Sequence, residues 1–312
     1  MLTLDNEPIV IVCAADDDYA MPLTVTICSV LANLSTNCTV AIFIIDGGIR
    51  KSNKRKIIDS FKSDKVSLEW LKVDDVLLSH MLISRHITLA SYYRIMIPNL
   101  LSNQYKKAIY LDSDIIVKGN LELLWNIALE ENYLLAVPDI DVPHVSSPKG
   151  LRNYQQLGIP SDAKYFNAGV LVINLDKWRS NSTSVKVIQY IEQNKEHVRW
   201  HDQDGLNAVL PGKWGELDLK WNQSPKIYEY SSWKDSPFSE SLYNDILHNP
   251  YIVHFSSSGK PWKLGCRHPA KSLFFEYIDM TAWSGWRLSL WRRLWLKFRD
   301  EMKKKLKVLR KS

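Results

Sequence analysis

The sequence predicts an α/β domain built on a mainly parallel sheet flanked by helices, and three observations predict it. Strand-like and helix-like segments alternate through the first half of the chain. The strand-like segments are continuous apolar runs, the pattern of strands covered on both faces. Acidic clusters close two of these runs, where ligands of such sheets bind.

In chain order, Pro8 to Ala15 is a β-rich apolar run, followed by a helix opened by Pro22 and running to Leu34. Val40 to Ile45 is the second strand, Lys51 to Lys62 the second helix and Val66 to Leu71 the third strand. Thr88 to Ile97 reads as a helix stopped before Pro98. Lys107 to Leu111 is a strand that delivers Asp112-Ser113-Asp114. Further on, Leu134 to Pro138, Gly169 to Ile173 and Tyr251 to Phe255 read as strands, and Ser182 to Asn194 as a helix. Trp214 to Ser232 is aromatic and loop-rich.

At 312 residues and 46% hydrophobic, the chain can bury one large core. Composition excludes disordered and fibrous classes. Cys13, Cys28, Cys38 and Cys266 form no CxxC pair or metal-like spacing, as expected in a reducing compartment. Neither a signal peptide nor a membrane-spanning run is legible, so a cytoplasmic protein is expected. The net charge is +6, but residues 286–312 hold 11 Lys and Arg against two acids, a net of +9. The body therefore carries about −3, and the division is a domain over 1–285 with a basic tail over 286–312.

Asp112 and Asp114 are two residues apart after an extended segment, so their side chains point the same way. Paired carboxylates at that distance repel unless a cation neutralises them, and hard divalent ions prefer such oxygens. A solvated turn explains an isolated Asp-x-Asp equally well. Asp16, Asp17, Asp18 and Tyr19 can meet a nucleoside at the end of the first strand, or cap the following helix. Phe166 to Asn174 places small residues beside an amide, allowing close backbone approach or simple packing. His201-Asp202-Gln203-Asp204 offers polar groups at a helix start, where acids are favoured regardless of function. His254 to Trp262 combines an imidazole with Lys260, a phosphate-binding candidate, although a lone His is usually structural.

Taken together, AADDDYA, YLDSDIIV, FNAGVLVIN, HDQDGLN and HFSSSGKPW resemble the retaining family 8 glycosyltransferases, over about residues 8 to 285. That family includes bacterial lipopolysaccharide galactosyl- and glucosyltransferases and the glycogenins. The resemblance implies a GT-A fold, a UDP-galactose or UDP-glucose donor, and Mn²⁺ or Mg²⁺ as cofactor. It makes Asp112, Asp114 and His254 the metal ligands and places Ala14, Asp16 and Tyr19 at the uridine. It gives Lys260 to the diphosphate, with the backbone at Ser257 beside it, counts Ser113 among the donor-binding residues, and gives Arg94, Asp139, Asn167, Asp202 and Gln203 to the donor sugar. Asp18 stands where relatives often have Asn, and Ser257 where some have Gly. Gln203 is a poor nucleophile, so front-face substitution is the expected route to retention, with Asp202 positioning the sugar. Asp202 as a covalent nucleophile is the alternative.

In the tail, Trp291, Leu294, Trp295, Phe298, Met302, Leu306 and Leu309 recur at helical spacing among basic residues. This reads as a peripheral anchor on an anionic membrane, against packing on the body or on a second subunit, and not as a nucleic-acid surface. A membrane-surface enzyme points to a lipid-linked or lipopolysaccharide acceptor. Self-glucosylation of the glycogenin kind is disfavoured, because no tyrosine follows Tyr277. A nucleotidyltransferase would need a Gly-rich loop that Ala14 to Ala20 lacks. A decayed, non-catalytic binding protein is disfavoured because every metal-ligand position is filled.

Overall fold

In the computed structural model the first strand, β1 (Ile9–Ala15), lies within a seven-stranded sheet and all seven of its residues are buried. The structure describes residues 7–35, 38–61, 63–73, 89–256 and 258–289, together with Leu294, Phe298 and Met302. Ile9, Ile11 and Cys13 face one core and Val10, Val12 and Ala14 the other, so the run is apolar throughout instead of alternating. Each fully buried Ile or Val contributes roughly 1.5–3 kcal/mol from burial.

Two strands lie to one side of β1: β2 (Val40–Asp46) and then β3 (Val66–Leu71), all parallel. On the other side β4 (Lys107–Leu111) is also parallel to β1. Beyond it the direction reverses. β7 (Phe166–Asn174) is antiparallel to both β4 and β6 (Leu134–Pro138), and β8 (Trp214–Glu216) closes the edge parallel to β6. The order β3-β2-β1-β4-β7-β6-β8 is thus mainly parallel with one reversed strand.

A second, two-stranded sheet sits above this one, and the sequence reading did not anticipate its strand β5 (Ile115–Val117). β5 pairs antiparallel with β9 (Ile252–His254), setting Ile115 opposite His254. Helix α1 (Ala20–Ala32) holds β5 from behind. Thr26 Oγ1 donates to the Ile115 carbonyl at 2.8 Å, and Ser29 Oγ accepts from the Val117 amide at 2.9 Å. These buried polar side chains satisfy backbone groups that a second strand partner would otherwise have to meet.

Helix α2 (Lys51–Ser60) follows β2, and α6 (Thr183–Gln193) packs beside α7 (Asp202–Val209). One expectation is corrected. Instead of a helix ending before Pro98, 3₁₀ turns occupy Leu89–Ser91 and Tyr93–Met96, and α3 (Ile97–Leu100) carries Pro98 in its first turn. Proline lacks the N–H that a first turn does not use, so here it opens a helix instead of stopping one. Thr88 lies outside the described residues. At the far end, α9 (Lys271–Ile278) presents Phe275 to Trp286, whose rings stack at 6.5 Å. Cys13 and Cys28 are buried, Cys38 and Cys266 half-buried, and all four are free.

Candidate active site

Topology brings three distant segments together. Asp112, Ser113 and Asp114 form the bend between β4 and β5, and both ends of that bend are pinned. The Asp112 amide donates to the Gly169 carbonyl of β7 at 2.8 Å, and the Phe255 amide donates to the Asp114 carbonyl at 2.9 Å. Between these anchors Ser113 Oγ donates to the Ala14 carbonyl at the end of β1, at 2.6 Å. The middle residue of the bend therefore locks it to the first strand, and that bond uses its hydroxyl proton.

Each carboxylate of the bend has one oxygen held by fixed groups and the other aimed at His254. Asp112 Oδ1 accepts from Tyr110 OH at 2.8 Å and meets Arg94 Nη2 at 2.9 Å. Asp114 Oδ2 is paired with the Lys260 ammonium, which also donates to the Phe255 carbonyl. The remaining oxygens, Asp112 Oδ2 and Asp114 Oδ1, lie 3.7 and 3.2 Å from His254 Nε2. Ligand atoms of the three residues all lie within 4.8 Å of one another, the convergence a small divalent cation requires. Burial alone raises the Asp114 carboxyl, but Lys260 and His254 outweigh it and hold the group below the usual carboxylate range.

Arg94 is buried and stacked over the Tyr110 ring at 4.6 Å. Its Nε lies 2.8 Å from Asp202 Oδ2 but is aligned with the Ser91 carbonyl instead, so that carboxylate oxygen has a charge beside it and no hydrogen bond. Burial pushes the Asp202 carboxyl up to about 6 against the pull of Arg94, and Asp112 and Asp204 add to the rise. A carboxyl raised from 3.8 favours the fold fully below about pH 4 and loses that contribution as pH climbs through about 6. The amount is roughly 3 kcal/mol. Wild-type stability measured against that of the Asp202→Asn variant should therefore fall by up to that amount between pH 4 and 8. Parallel urea-denaturation curves across the range would refute the assignment.

Asp139, buried at the end of β6, accepts from Asn167 Nδ2 at 3.1 Å and Gln203 Nε2 at 3.2 Å. Gln203 in turn accepts the Ala168 amide at 3.0 Å through Oε1. Asp16 caps the 3₁₀ turn Asp17–Tyr19, accepting from the Tyr19 amide at 3.1 Å, and Asp17 accepts from the amide of Arg50, the residue before α2, at 2.9 Å. Neither acid caps α1, the helix that follows, and Asp16 borders the cleft. Tyr19 rests edge-on against Trp262 at 5.7 Å.

A cleft of about 590 Å³ at the carboxyl ends of β1 and β4 gathers thirteen of the fourteen sequence-predicted site residues. They are Ala14, Asp16, Tyr19, Arg94, Asp112, Ser113, Asp114, Asp139, Asn167, Asp202, Gln203, His254 and Lys260. Ser257 lies outside the described residues, with Ser256 and Ser258 on the cleft wall. Three contributors escaped the sequence reading: Tyr110, Gly169 and Asn222. Gly169 was legible as a small residue in a polar-flanked strand, and Tyr110 as the residue two before Asp112, hence on the same side of the extended segment. Asn222 closes a short 3₁₀ turn, Leu219–Asn222, in an aromatic stretch with no periodicity to single it out.

Known proteins resemble this chain in sequence and fold. The family model for glycosyl transferase family 8 matches residues 10–265. General stress protein A of Bacillus subtilis (strain 168) is 33% identical over 277 residues, covering 88% of this chain and 94% of that protein. The lipopolysaccharide 1,3-galactosyltransferase of Salmonella typhimurium (strain LT2) is 27% identical over 205 residues, covering 64% of this chain and 57% of that protein. The crystal structure of the galactosyltransferase LgtC with donor and acceptor sugar analogues superposes with a TM-score of 0.76 at 28% identity, covering 88% and 96% of the two chains. With its GT-A sheet and acidic bend, this chain belongs to glycosyltransferase family 8.

Proposed function

We propose that the protein transfers galactose or glucose from a UDP-sugar to a saccharide acceptor with retention of configuration, using Mn²⁺ or Mg²⁺ held by Asp112, Asp114 and His254. The observation that carries this reading is the convergence of three ligand atoms within 4.8 Å, each carboxylate having its other oxygen fixed by a cationic side chain. A bound divalent cation would supply charge neutralisation at the diphosphate of the donor.

Lys260, at the same edge of the cleft, adds a second positive charge for the leaving diphosphate. Asp139 and Asn167 present fixed polar groups to the sugar hydroxyls. Gln203 is a neutral amide whose carbonyl oxygen is already engaged by the Ala168 amide, which suits it to orienting the sugar and disfavours attack on the anomeric carbon. Asp202 is held back by Arg94 and positions the sugar from below. The acceptor hydroxyl then attacks from the face the diphosphate leaves, and its proton passes to the departing phosphate oxygen. Among sugar nucleotides, UDP-galactose or UDP-glucose should be hydrolysed slowly without acceptor, in a reaction abolished by EDTA and restored by Mn²⁺. Hydrolysis undiminished by EDTA would overturn the metal-dependent reading.

The acceptor we propose is lipid-linked or lipopolysaccharide in kind, reached from a membrane surface. Among the described residues no helix is long and apolar enough to cross a membrane. Leu294, Phe298 and Met302 are helical and 51%, 62% and 41% exposed, so this stripe with a four-residue repeat points to solvent. The other apolar tail positions lie outside the described residues. A basic helix with such a stripe binds anionic bilayers by burying it at the interface. Deleting residues 290–312, which spares the Trp286 contact, should abolish cosedimentation with anionic vesicles and leave donor hydrolysis intact. Equal cosedimentation of the truncated chain would exclude the anchor.

A further inference from the structure

The hydrogen bonds of the cleft wall form a continuous chain whose polarity can be read link by link. The Gly169 backbone amide is a donor whatever the side chains do, and it meets Asn167 Oδ1 at 2.9 Å. That contact fixes the Asn167 amide with its oxygen toward Gly169 and its nitrogen toward the Asp139 carboxylate. Asn222 approaches the same Asn167 oxygen at 2.9 Å, so Asn222 must present its nitrogen there. Its oxygen is then left facing His254 Nδ1 at 2.8 Å. An amide oxygen only accepts, so Nδ1 carries a proton, and in the neutral ring Nε2 then keeps its lone pair toward Asp112 and Asp114.

We propose that Asn222 is the positioning residue of the cation site: it fixes the orientation and tautomer of His254 that make Nε2 a ligand. The inference rests on the reading of the triad as a cation site. Asn222 is buried and its own placement is enforced by backbone. The adjoining residue runs alongside β9, where the Gln223 amide donates to the Ile252 carbonyl at 2.9 Å and the His254 amide donates to the Gln223 carbonyl at 3.1 Å. Asn222 therefore cannot shift relative to His254 without breaking these bonds. The chain continues from Asn167 through Asp139 to Gln203, so the imidazole that would bind the cation and the amide beside the donor sugar share one oriented network. Such outer partners commonly tune metal affinity 10–100-fold.

The test uses the full chain, free of nucleotide, with Mn²⁺ titrated by calorimetry and His254 followed by ¹⁵N-histidine NMR in the presence of Mg²⁺. Asn222→Ala should weaken Mn²⁺ binding 10–100-fold and leave His254 as a mixture of tautomers. Asn222→Asp still offers His254 an acceptor, so Mn²⁺ affinity and the Nδ1–H tautomer should both be retained. The same variant loses the donor to Asn167, so its KM for the sugar donor should rise while kcat changes less. Wild-type affinity in Asn222→Ala, or a wild-type His254 protonated on Nε2 when the cation is bound, would overturn the proposal. Should the Ala variant fail to fold, the wild-type tautomer and the Asp variant decide the matter. A wild-type chain that binds no divalent cation would instead overturn the metal reading. The tautomer of neutral His254 at alkaline pH would then still decide the role of Asn222.

Discussion

Asp114→Asn is expected to reduce sugar transfer roughly 10³-fold, the upper end of what one electrostatic contact to a leaving group supplies. The loss has two sources that can be separated. One is chemical: Asp114 Oδ1 is one of the three convergent ligand atoms, and an amide there lowers the charge that attracts a cation. The other is structural. Asp114 Oδ2 neutralises Lys260, which is buried beside the Phe255 carbonyl. Taking away one partner of a buried ion pair leaves an uncompensated charge, and the cost here is roughly 3 kcal/mol, because Asn can still accept one hydrogen bond. Adding Lys260→Met removes the stranded ammonium. The double variant should regain most of the lost thermal stability and remain inactive. Recovery of transfer along with stability would mean that Asp114 and Lys260 both serve the fold alone and that the cation site lies elsewhere.

Much of this architecture is legible in the sequence, for a definite reason. β1, β2 and β4 are buried on both faces, so each reads as an unbroken apolar run whose end is marked by the first acid. The elements that escaped are those whose stability is borrowed. β5 is three residues long and exists because α1 side chains and β9 satisfy its backbone. The 3₁₀ turns before α3 carry buried Tyr93, Arg94, Ile95 and Met96, a pattern that mimics a helix in sequence but is set by the packing of Arg94 between two acids.

The site divides in the same way. Asp112 and Asp114 announce themselves by spacing after a strand. His254 is 140 residues beyond Asp114 and becomes a neighbour only through the pairing of β5 with β9. The resemblance places Arg94 at the donor sugar, and in the structure it lines the cleft while its guanidinium also meets Asp112, Asp202 and the Ala168 carbonyl, contacts that no local pattern announces. Local pattern conveys residue type and face. It does not convey which charges neutralise which, because that depends on tertiary contacts between segments with no sequence relation.

Gly169→Ala should damage the site as severely as loss of a ligand while leaving the strand in place. Gly169 does not adopt a left-handed conformation, so alanine meets no backbone penalty and the effect is purely steric. A Cβ built on Gly169 would stand 2.4 Å from His254 Cε1, 2.9 Å from His254 Nδ1 and 3.0 Å from Asp112 Oδ2. The first distance forces a side chain to move, and the imidazole has nowhere to go without breaking its bond to Asn222. Asp112 is similarly tied through Arg94 and Tyr110. The strain is therefore relieved by displacing His254 from the carboxylates, at a cost in stability of about 1–3 kcal/mol, typical of overpacking. Mn²⁺ affinity should fall at least as far as for a lost outer partner, about 10–100-fold, and transfer with it. His254→Gly in the Gly169→Ala background would reopen the space. That pair should be no less stable than His254→Gly alone and should not bind the cation, which separates the clash from any wider failure of β7. Unchanged Mn²⁺ affinity in Gly169→Ala would show that His254 can leave its position freely, and with that the rigid three-ligand site would be lost.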